Sequence, residues 1–397
     1  MQRIKLNLLR LDYLLGTAII FCQVSGRFGL TSVFFYGTFF ATFFLWLCTL
    51  TERVEKSDII AIFIIFVSFI NVVLNGVFNG ILAGASFSFS YIKKYIMFCC
   101  TIMFFAATIK IEITNKTRCF FEYIYLCVGA FLVFMYCIQN REMHILNGYY
   151  SNYLTFRFTN PNLTALFFAC MIMFLVVLSF REKRVFWKCI LLATAAAEII
   201  FLYQTRSRNC MLAIAVFLCL ALLQFLKKKE FKLKNWMLWL IAVAPLLFAV
   251  IYIEIIHNPL FTKLFSFAVS EGKGLDSRIF IWRNAFSAFA ASPIFGAYFQ
   301  ISNGTGVFQL HNTHIDILTS YGFIVLMLVC VFLHGLMCSM QKKSRSREHS
   351  IALIGFACVV LLGIGEAAVF SGGLGIYLFA GVFLLIQKPF TEPTQQL

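Results

Sequence analysis

The sequence predicts an all-α protein, a polytopic bundle of about twelve transmembrane helices that forms one integral membrane domain over residues 1–397. Composition is the first reason, because 61% of the residues are hydrophobic and only 13% are charged, whereas soluble domains are about 45–50% apolar and about 25% charged. The second reason is that the apolar residues form unbroken runs of about 20, the length of a membrane-spanning helix. This pattern excludes a soluble globular enzyme, a disordered chain, a disulfide-stapled secreted module and an outer-membrane barrel of alternating strands.

Apolar runs between polar breaks place the individual helices. The predicted spans are 11–26, 29–50, 59–83, 91–109, 119–138, 163–180, 186–204, 210–226, 236–256, 315–338, 351–370 and 373–387. The first run follows a short basic stretch without a small-residue cleavage site, so it is predicted to be an uncleaved span. The 14 cysteines lie in or beside these runs without a CxxC framework, which is typical of buried hydrophobic residues rather than of disulfides.

The basic residues predict the orientation of the helices. The net charge of +16 comes from short Lys and Arg clusters between apolar runs, which is typical of topology signals rather than of a nucleic-acid surface. With the amino terminus in the cytoplasm, twenty-two of the 33 Lys and Arg residues fall on the cytoplasmic face and eleven on the other. This bias predicts that both termini are cytoplasmic.

Two long loops lie on the extracytoplasmic side of this topology, at about 139–162 and about 257–314. Long connections with structure of their own usually carry function. The second loop, between spans nine and ten, contains a predicted short helix that Asp276 or Ser277 caps and that ends at Ser292-Pro293. One face of this helix, at i, i+4, i+7 and i+11, would carry Arg278, Trp282, Ala285 and Phe289.

Several arginines lie on the extracytoplasmic face, which the positive-inside rule otherwise depletes of basic residues. They are Arg157 in the first long loop, Arg206 and Arg208 in the tight turn between spans seven and eight, and Arg278 and Arg283 on the predicted loop helix. A guanidinium group binds phosphate oxygens through paired hydrogen bonds and stays charged at the membrane surface. These residues indicate a phosphate site; the alternative is that they bind lipid headgroups or pair with Glu254 and Asp276.

A histidine motif, His311-Asn312-Thr313-His314, stands at the mouth of the tenth span. Histidine is the side chain whose ordinary pKa, about 6.5, suits proton removal near neutral pH. His311 is therefore predicted to be a general base, against the alternative of a surface histidine at a helix end. Zinc bound by His311, His314 and Asp316 is a further alternative, but no HExxH or Cys/His set accompanies them, and no metal or cofactor is predicted.

Two acidic residues, Glu198 and Glu366, lie within predicted spans. A charge inside a membrane is costly, so both are functional candidates, with a structural pairing to an arginine as the alternative. The sequence contains no Gly-rich nucleotide loop, GxSxG elbow or Walker motif. It therefore gives no indication of ATP use.

These motifs resemble those of the O-antigen ligase/polymerase superfamily of bacterial membrane glycosyltransferases. Thr205-Arg206-Ser207-Arg208 is similar to the family's Ser/Thr–Arg signature. The family's Arg-x-x-x-Trp…Pro-x-x-Gly stretch is matched by Arg278 and Trp282, followed by Pro293 and Gly296. Its His-Asn…Gly motif and its Arg…Asn-Pro-Asn element are matched by His311-Asn312 with Gly322, and by Arg157 with Asn160-Pro161-Asn162.

The resemblance implies a metal-independent glycosyltransferase at the outer face of the bacterial inner membrane, where undecaprenyl pyrophosphate is the leaving group. The implied partners are undecaprenyl-pyrophosphate-linked glycans, membrane lipid and a chain-length regulator protein, with no nucleic acid. His311 as general base, with Arg208 and Arg278 as stabilisers of the leaving pyrophosphate, are then the predicted catalytic residues. The predicted substrate-binding residues are Arg157, Arg206, Trp282, Arg283, Asn312 and His314.

Three activities remain open at this level. A polymerase transfers a growing chain to another lipid-linked repeat unit, and a ligase transfers the finished chain to lipid A–core. The modest outer loop, the 49 phenylalanines and the low charge favour the polymerase. A transporter or flippase for lipid-linked sugars would need charged or broken helices at the bilayer midplane and paired halves, and the sequence shows no such symmetry.

Overall fold

The computed structural model describes residues 31–52, 54–83, 89–110, 154, 161–227, 232–255, 276–296, 310–343, 347–366 and 370. These residues form ten helices and no strand, which confirms the all-α class. In chain order the helices are α1 Thr31–Glu52, α2 Lys56–Ala83, α3 Phe89–Thr108, α4 Pro161–Arg181, α5 Val185–Gln204, α6 Arg208–Leu226, α7 Asn235–Ile255, α8 Asp276–Ala291, α9 Thr313–Lys343 and α10 Arg347–Leu362.

Six of the described helices, namely α2, α4, α5, α6, α7 and α9, are long and apolar enough to cross a membrane. The multi-pass character is therefore confirmed, whereas the number twelve is not. Predicted spans overlap α1 to α7, α9 and α10, and the predicted loop helix is α8. The spans predicted at 11–26, 119–138 and 373–387 lie outside the described residues.

The span predicted at 351–370, which overlaps α10, was wrong at its carboxyl end. The apolar pattern continues to residue 370, but α10 ends at Leu362 and a turn follows over 363–365. Glycines at 363 and 365 allow this turn to approach two neighbouring helices closely, because a Cβ at either position would lie within 3 Å of a neighbouring side chain. Tertiary packing therefore overrides the apolar run.

Helices α4 and α10 form the centre of the bundle. Both are buried on nearly all sides, and α10 packs against α4, α6, α7 and α9. By contrast, α2, α5, α6 and α7 are mostly exposed along their apolar stretches and present large apolar side chains such as Phe63, Leu222 and Trp236. Exposed apolar surface on this scale is expected where helices face lipid rather than water.

Helix α9 is broken at Gly322, which has a φ of +84°, and the break receives the turn that follows α8. In that turn Gly296 has a φ of +81°, and a Cβ there would lie 2.7 Å from the carbonyl oxygen of Thr319. A Cβ at Gly322 would overlap the backbone of Ile294, while the Phe323 N–H donates to the Pro293 carbonyl at 2.9 Å. Two glycines thus fasten the end of α8 against α9.

Polar side chains on α2 and α3 secure the same half of α9. The Asn71 amide donates to the carbonyls of Ile294, at 3.2 Å, and Tyr321. Lys94 forms an ion pair with Asp316 at 2.6 Å and a hydrogen bond with the Ser320 hydroxyl at 3.1 Å. The first turns of α9 are consequently held from several sides.

Contacts at the end of the bundle away from Asp316 and the start of α9 show how the described helices alternate in direction. Asp58, at the start of α2, accepts a hydrogen bond from Trp46 on α1 at 3.1 Å and pairs with Lys110, just after α3, at 2.8 Å. Gln341, near the end of α9, bonds the backbone of Leu233 just before α7. The starts of α6, α8 and α9 and the turn after α10 therefore meet at the other end.

Candidate active site

Glu366, directly after the turn that ends α10, lies at the centre of the candidate site. Glu366 is buried, with only 2% of its surface exposed. One carboxylate oxygen, Oε2, accepts a hydrogen bond from His311 Nδ1 at 3.0 Å, and the other, Oε1, accepts one from Arg278 Nη2 at 3.3 Å. A single carboxylate thus joins α8, the end of α10 and the residues just before α9.

The contact with Glu366 assigns the tautomer of His311. A carboxylate accepts hydrogen bonds, so Nδ1 carries the proton, and the neutral ring then has a lone pair on Nε2. The His311 side chain is 21% exposed, and Nε2 makes no hydrogen bond within the described residues. This is the arrangement that a general base needs, with one nitrogen anchored and the other available.

Arg206 and His311 are the two described residues other than glycine with positive φ, at 55° and 50°. Such backbone costs about 1–3 kcal/mol per residue and is found most often at functional sites, where the surrounding structure maintains it. Both residues were predicted from sequence motifs to act on the substrate. The strain adds an independent structural indication for both.

The turn that carries Arg206 and Arg208 lies at the same end as Glu366. Both arginines are exposed, and Arg208 is the first residue of α6. The next residue, Asn209, donates from its side chain to the Leu362 carbonyl at 3.2 Å. A Cβ on Gly365, the residue before Glu366, would lie 2.6 Å from the Asn209 amide nitrogen, so the start of α6 borders the His311 site.

The start of α6 also contributes a favourable field. The first backbone N–H groups of a helix lack partners within the helix, and together they give its amino terminus a partial positive charge. Phosphate groups commonly bind at such ends. Arg208 therefore adds its charge where the backbone of α6 already favours an anion.

Asn312 and His314, two of the predicted substrate-binding residues, are buried and contact protein. The Asn312 carbonyl oxygen accepts the N–H groups of His314 and Ile315 at 3.0 Å each, capping α9. Its amide group donates to the carbonyls of Pro245, at 2.7 Å, and Ile364, at 3.2 Å. These four bonds use the whole side chain to hold α7, α9 and the Glu366 turn together.

His314 bonds the carbonyl of Ala242 on α7 through Nε2 at 2.7 Å. Trp282, on the inner face of α8, is fully buried and donates from Nε1 to the Leu310 carbonyl at 2.7 Å. Both side chains therefore support the segment around His311 from the inside. Their predicted contact with substrate stays a prediction.

Of the two remaining predicted site residues, the structure describes Arg283 but not Arg157. Arg283 is exposed on α8, whereas Arg157 lies outside the described residues. Leu154, from the same predicted loop as Arg157, donates its backbone N–H to the Gln204 carbonyl at 3.2 Å. That contact places one residue of the 139–162 loop beside the turn that holds Arg206.

The two acidic candidates have different surroundings. Glu366 joins the predicted base to a predicted arginine, a partnership that the sequence left open because 55 residues separate it from His311. Glu198 is buried in α5, and neither carboxylate oxygen has a hydrogen-bond partner in the part of the chain that the structure describes. Asp316, considered above as a metal ligand, pairs with Lys94.

Part of the chain that contains these site residues matches a known protein family. Residues 191–330 match the family model described as O-antigen ligase, and no curated protein matches the chain. The matched segment contains Arg206, Arg208, Arg278 and His311, while Glu366 lies beyond it. The resemblance to the O-antigen ligase/polymerase superfamily is thereby confirmed, and residues 191–330 are the part of the chain that carries it.

Proposed function

We propose that this chain is a membrane glycosyltransferase that polymerises undecaprenyl-pyrophosphate-linked oligosaccharide repeat units into O-antigen or capsular polysaccharide. The reaction would take place at the outer face of the inner membrane, without a metal ion. The observation that supports the proposal most strongly is the hydrogen-bonded series Arg278–Glu366–His311, bordered by the exposed arginines of the α5–α6 turn.

In the proposed reaction, His311 Nε2 accepts the proton of an acceptor sugar hydroxyl as that oxygen attacks the anomeric carbon of the donor. The bond between the anomeric carbon and the pyrophosphate oxygen breaks, and the lipid pyrophosphate leaves with the bonding electrons. The imidazolium that forms is stabilised by the Glu366 carboxylate 3.0 Å from Nδ1. A carboxylate in this position orients the base and balances its charge.

The arginines would stabilise the leaving group. Pyrophosphate is a good leaving group, so donors directed at its developing charge contribute more than a general acid. A guanidinium has five N–H donors, and the hydrogen bond to Glu366 uses one of those on Arg278. Its other donors, with Arg208 and helpers Arg206, Arg283 and Arg157, would bind the phosphate oxygens.

The second candidate is an O-antigen ligase, which transfers the chain to lipid A–core by the same chemistry. The description of the matching family model favours it, while the modest outer loop favours the polymerase. A flippase is the candidate from another class. The described site residues lie together at one end of the bundle, whereas a flippase would concentrate its polar groups near the midplane.

Purified protein in lipid nanodiscs, supplied with a synthetic lipid-linked repeat unit, tests the proposal. A polymerase forms a ladder of longer lipid-linked glycans, and the His311→Ala variant forms none. A ligase forms product only when lipid A–core is added, and a flippase forms no glycosidic bond in either case. Either of these results would contradict polymerisation. In cells, a deletion strain would carry single-repeat lipopolysaccharide if a polymerase is lost and bare core if a ligase is lost.

A further inference from the structure

Four backbone carbonyls, at Leu362 and in the segment that follows α10, are bound by residues at the starts of α6 and α9. The Asn209 side chain on α6 donates to Leu362, and the Asn312 side chain donates to Ile364. Thr313, at the start of α9, donates its backbone N–H to Gly363 at 2.9 Å and its hydroxyl to Glu366 at 3.0 Å. These bonds tie the 362–366 segment to the starts of α6 and α9, and they add to the bond in which the Leu362 carbonyl accepts the Gly365 N–H at 3.2 Å.

Close packing reinforces the hydrogen bonds. A Cβ on Gly365 would lie 2.6 Å from the Asn209 amide nitrogen, and one on Gly363 would lie 2.8 Å from the Thr313 hydroxyl. The turn before Glu366 therefore has no room to move toward α6 or α9. Within this arrangement Asn209 is the side-chain contact from α6, the helix that begins with Arg208.

We propose that Asn209 is a positioning residue for the transfer reaction: it holds the 362–366 turn so that Glu366 supports His311 beside Arg208. This inference rests on the proposed function. Asn209 acts through backbone, not through substrate, so its effect should depend on the Glu366 carboxylate. Removing it should lower kcat and leave KM nearly unchanged, because the donor and acceptor sites keep their side chains.

A double-mutant cycle with Glu366→Gln tests this dependence. We expect Asn209→Ala to lower kcat about 10-fold to 10²-fold, the range for a displacement of about 1 Å in a catalytic group. The isosteric Asn209→Asp, which has no donor for the Leu362 carbonyl, should lose as much. In a Glu366→Gln background, Asn209→Ala should change kcat by less than about twofold, because residues acting in series are not additive.

Asn235→Ala is the matched control, because it removes an asparagine that bonds His334 at the opposite end of the bundle. It should leave kcat unchanged within about twofold in both backgrounds, as expected for distant sites. Losses from Asn209→Ala and Glu366→Gln that multiply would overturn the proposal. Full activity of Asn209→Asp would overturn it as well.

Hydrogen exchange gives a second measurement that requires no turnover. Amides of the 362–366 segment should exchange faster in Asn209→Ala than in the wild type and in Asn235→Ala. If Asn209→Ala does not fold, Gly365→Ala, which displaces the Asn209 side chain, replaces it in both experiments. Unchanged hydrogen exchange in Asn209→Ala overturns the inference. A wild-type protein that makes no glycosidic bond overturns the proposed function instead. In that case the exchange experiment alone decides whether Asn209 holds the turn.

Discussion

At the scale of single residues, the site depends on one carboxylate that serves two partners. Glu366 is buried, and each of its oxygens has a different donor, His311 or Arg278. A buried carboxylate without such partners would be costly. The same two hydrogen bonds that make its burial tolerable also anchor the base, so the stability of the site and its chemistry depend on the same contacts.

Replacing Glu366 with Gln should remove the support of the base. The amide has a single acceptor oxygen, so it cannot accept hydrogen bonds from both His311 Nδ1 and Arg278, and it cannot balance the charge of an imidazolium. We expect kcat to fall about 10²–10⁴-fold, the range for general-base catalysis, with protein still present in the membrane. His311→Ala should lose at least as much. Initial rates with a lipid-linked repeat unit measure both, and full activity of either variant would exclude the proposed base.

Arg208→Lys tests whether the arginine fork matters or only its charge. Lysine keeps the charge but loses the paired donors that match phosphate oxygens. We therefore expect kcat to fall at least about 10-fold. This loss is smaller than the loss expected when a donor to the transition state is deleted altogether. Arg184→Lys is the control, since Arg184 is exposed at the opposite end beside Glu182. Equal rates for wild type and Arg208→Lys would indicate a simple point charge.

Individual residues could be predicted from the sequence to different degrees. Arg206 and His311 belong to recognisable sequence motifs, and in the structure both have a strained backbone with positive φ. The link from Arg278 to Glu366 spans 88 positions, and no local pattern records such a pairing. Asn209 shows no signal at all, because an asparagine at a helix start ordinarily suggests a local cap rather than a distant carbonyl.

At the scale of elements, helix positions followed from apolar runs, while helix ends depended on packing. Helix α8 begins at Asp276 and ends just before Ser292-Pro293, close to the bounds that the sequence signals predicted. Helix α10 ends before its apolar run does, because the Gly363–Gly365 turn docks on Thr313 and Asn209. The break in α9 was equally unforeseen, since one glycine in an apolar span is ordinarily tolerated within the helix.

Gly322→Ala should show what the break contributes. Its φ of +84° and the adjoining Ile294 backbone leave no room for a methyl group, and the backbone strain alone costs about 1–3 kcal/mol. Gly335→Ala is a control in the same helix, because a Cβ there meets nothing within 4 Å. Thermal unfolding in detergent should show a lower midpoint for the first variant only. A similar midpoint for both would contradict the packing argument.

At the scale of the whole molecule, the helix directions place all described candidate arginines and His311 at one end of the bundle. The Asp58–Lys110 pair and the Gln341–Leu233 bonds lie at the other. This agrees with the alternation that the distribution of basic residues predicted. Three further predicted spans lie outside the described residues, so the complete count depends on the sequence pattern alone.

The side of the membrane that the site faces is the last prediction. Basic residues such as Lys110, Arg184 and Lys342 lie at the end away from His311, and positive charge is retained in the cytoplasm during insertion. Alkaline phosphatase, which folds only outside the cytoplasm, should therefore be active when fused after Gly296, and green fluorescent protein should fluoresce when fused after Lys343. The reverse pattern would place His311 in the cytoplasm, away from any extracytoplasmic glycan, and the proposed reaction would then have no acceptor.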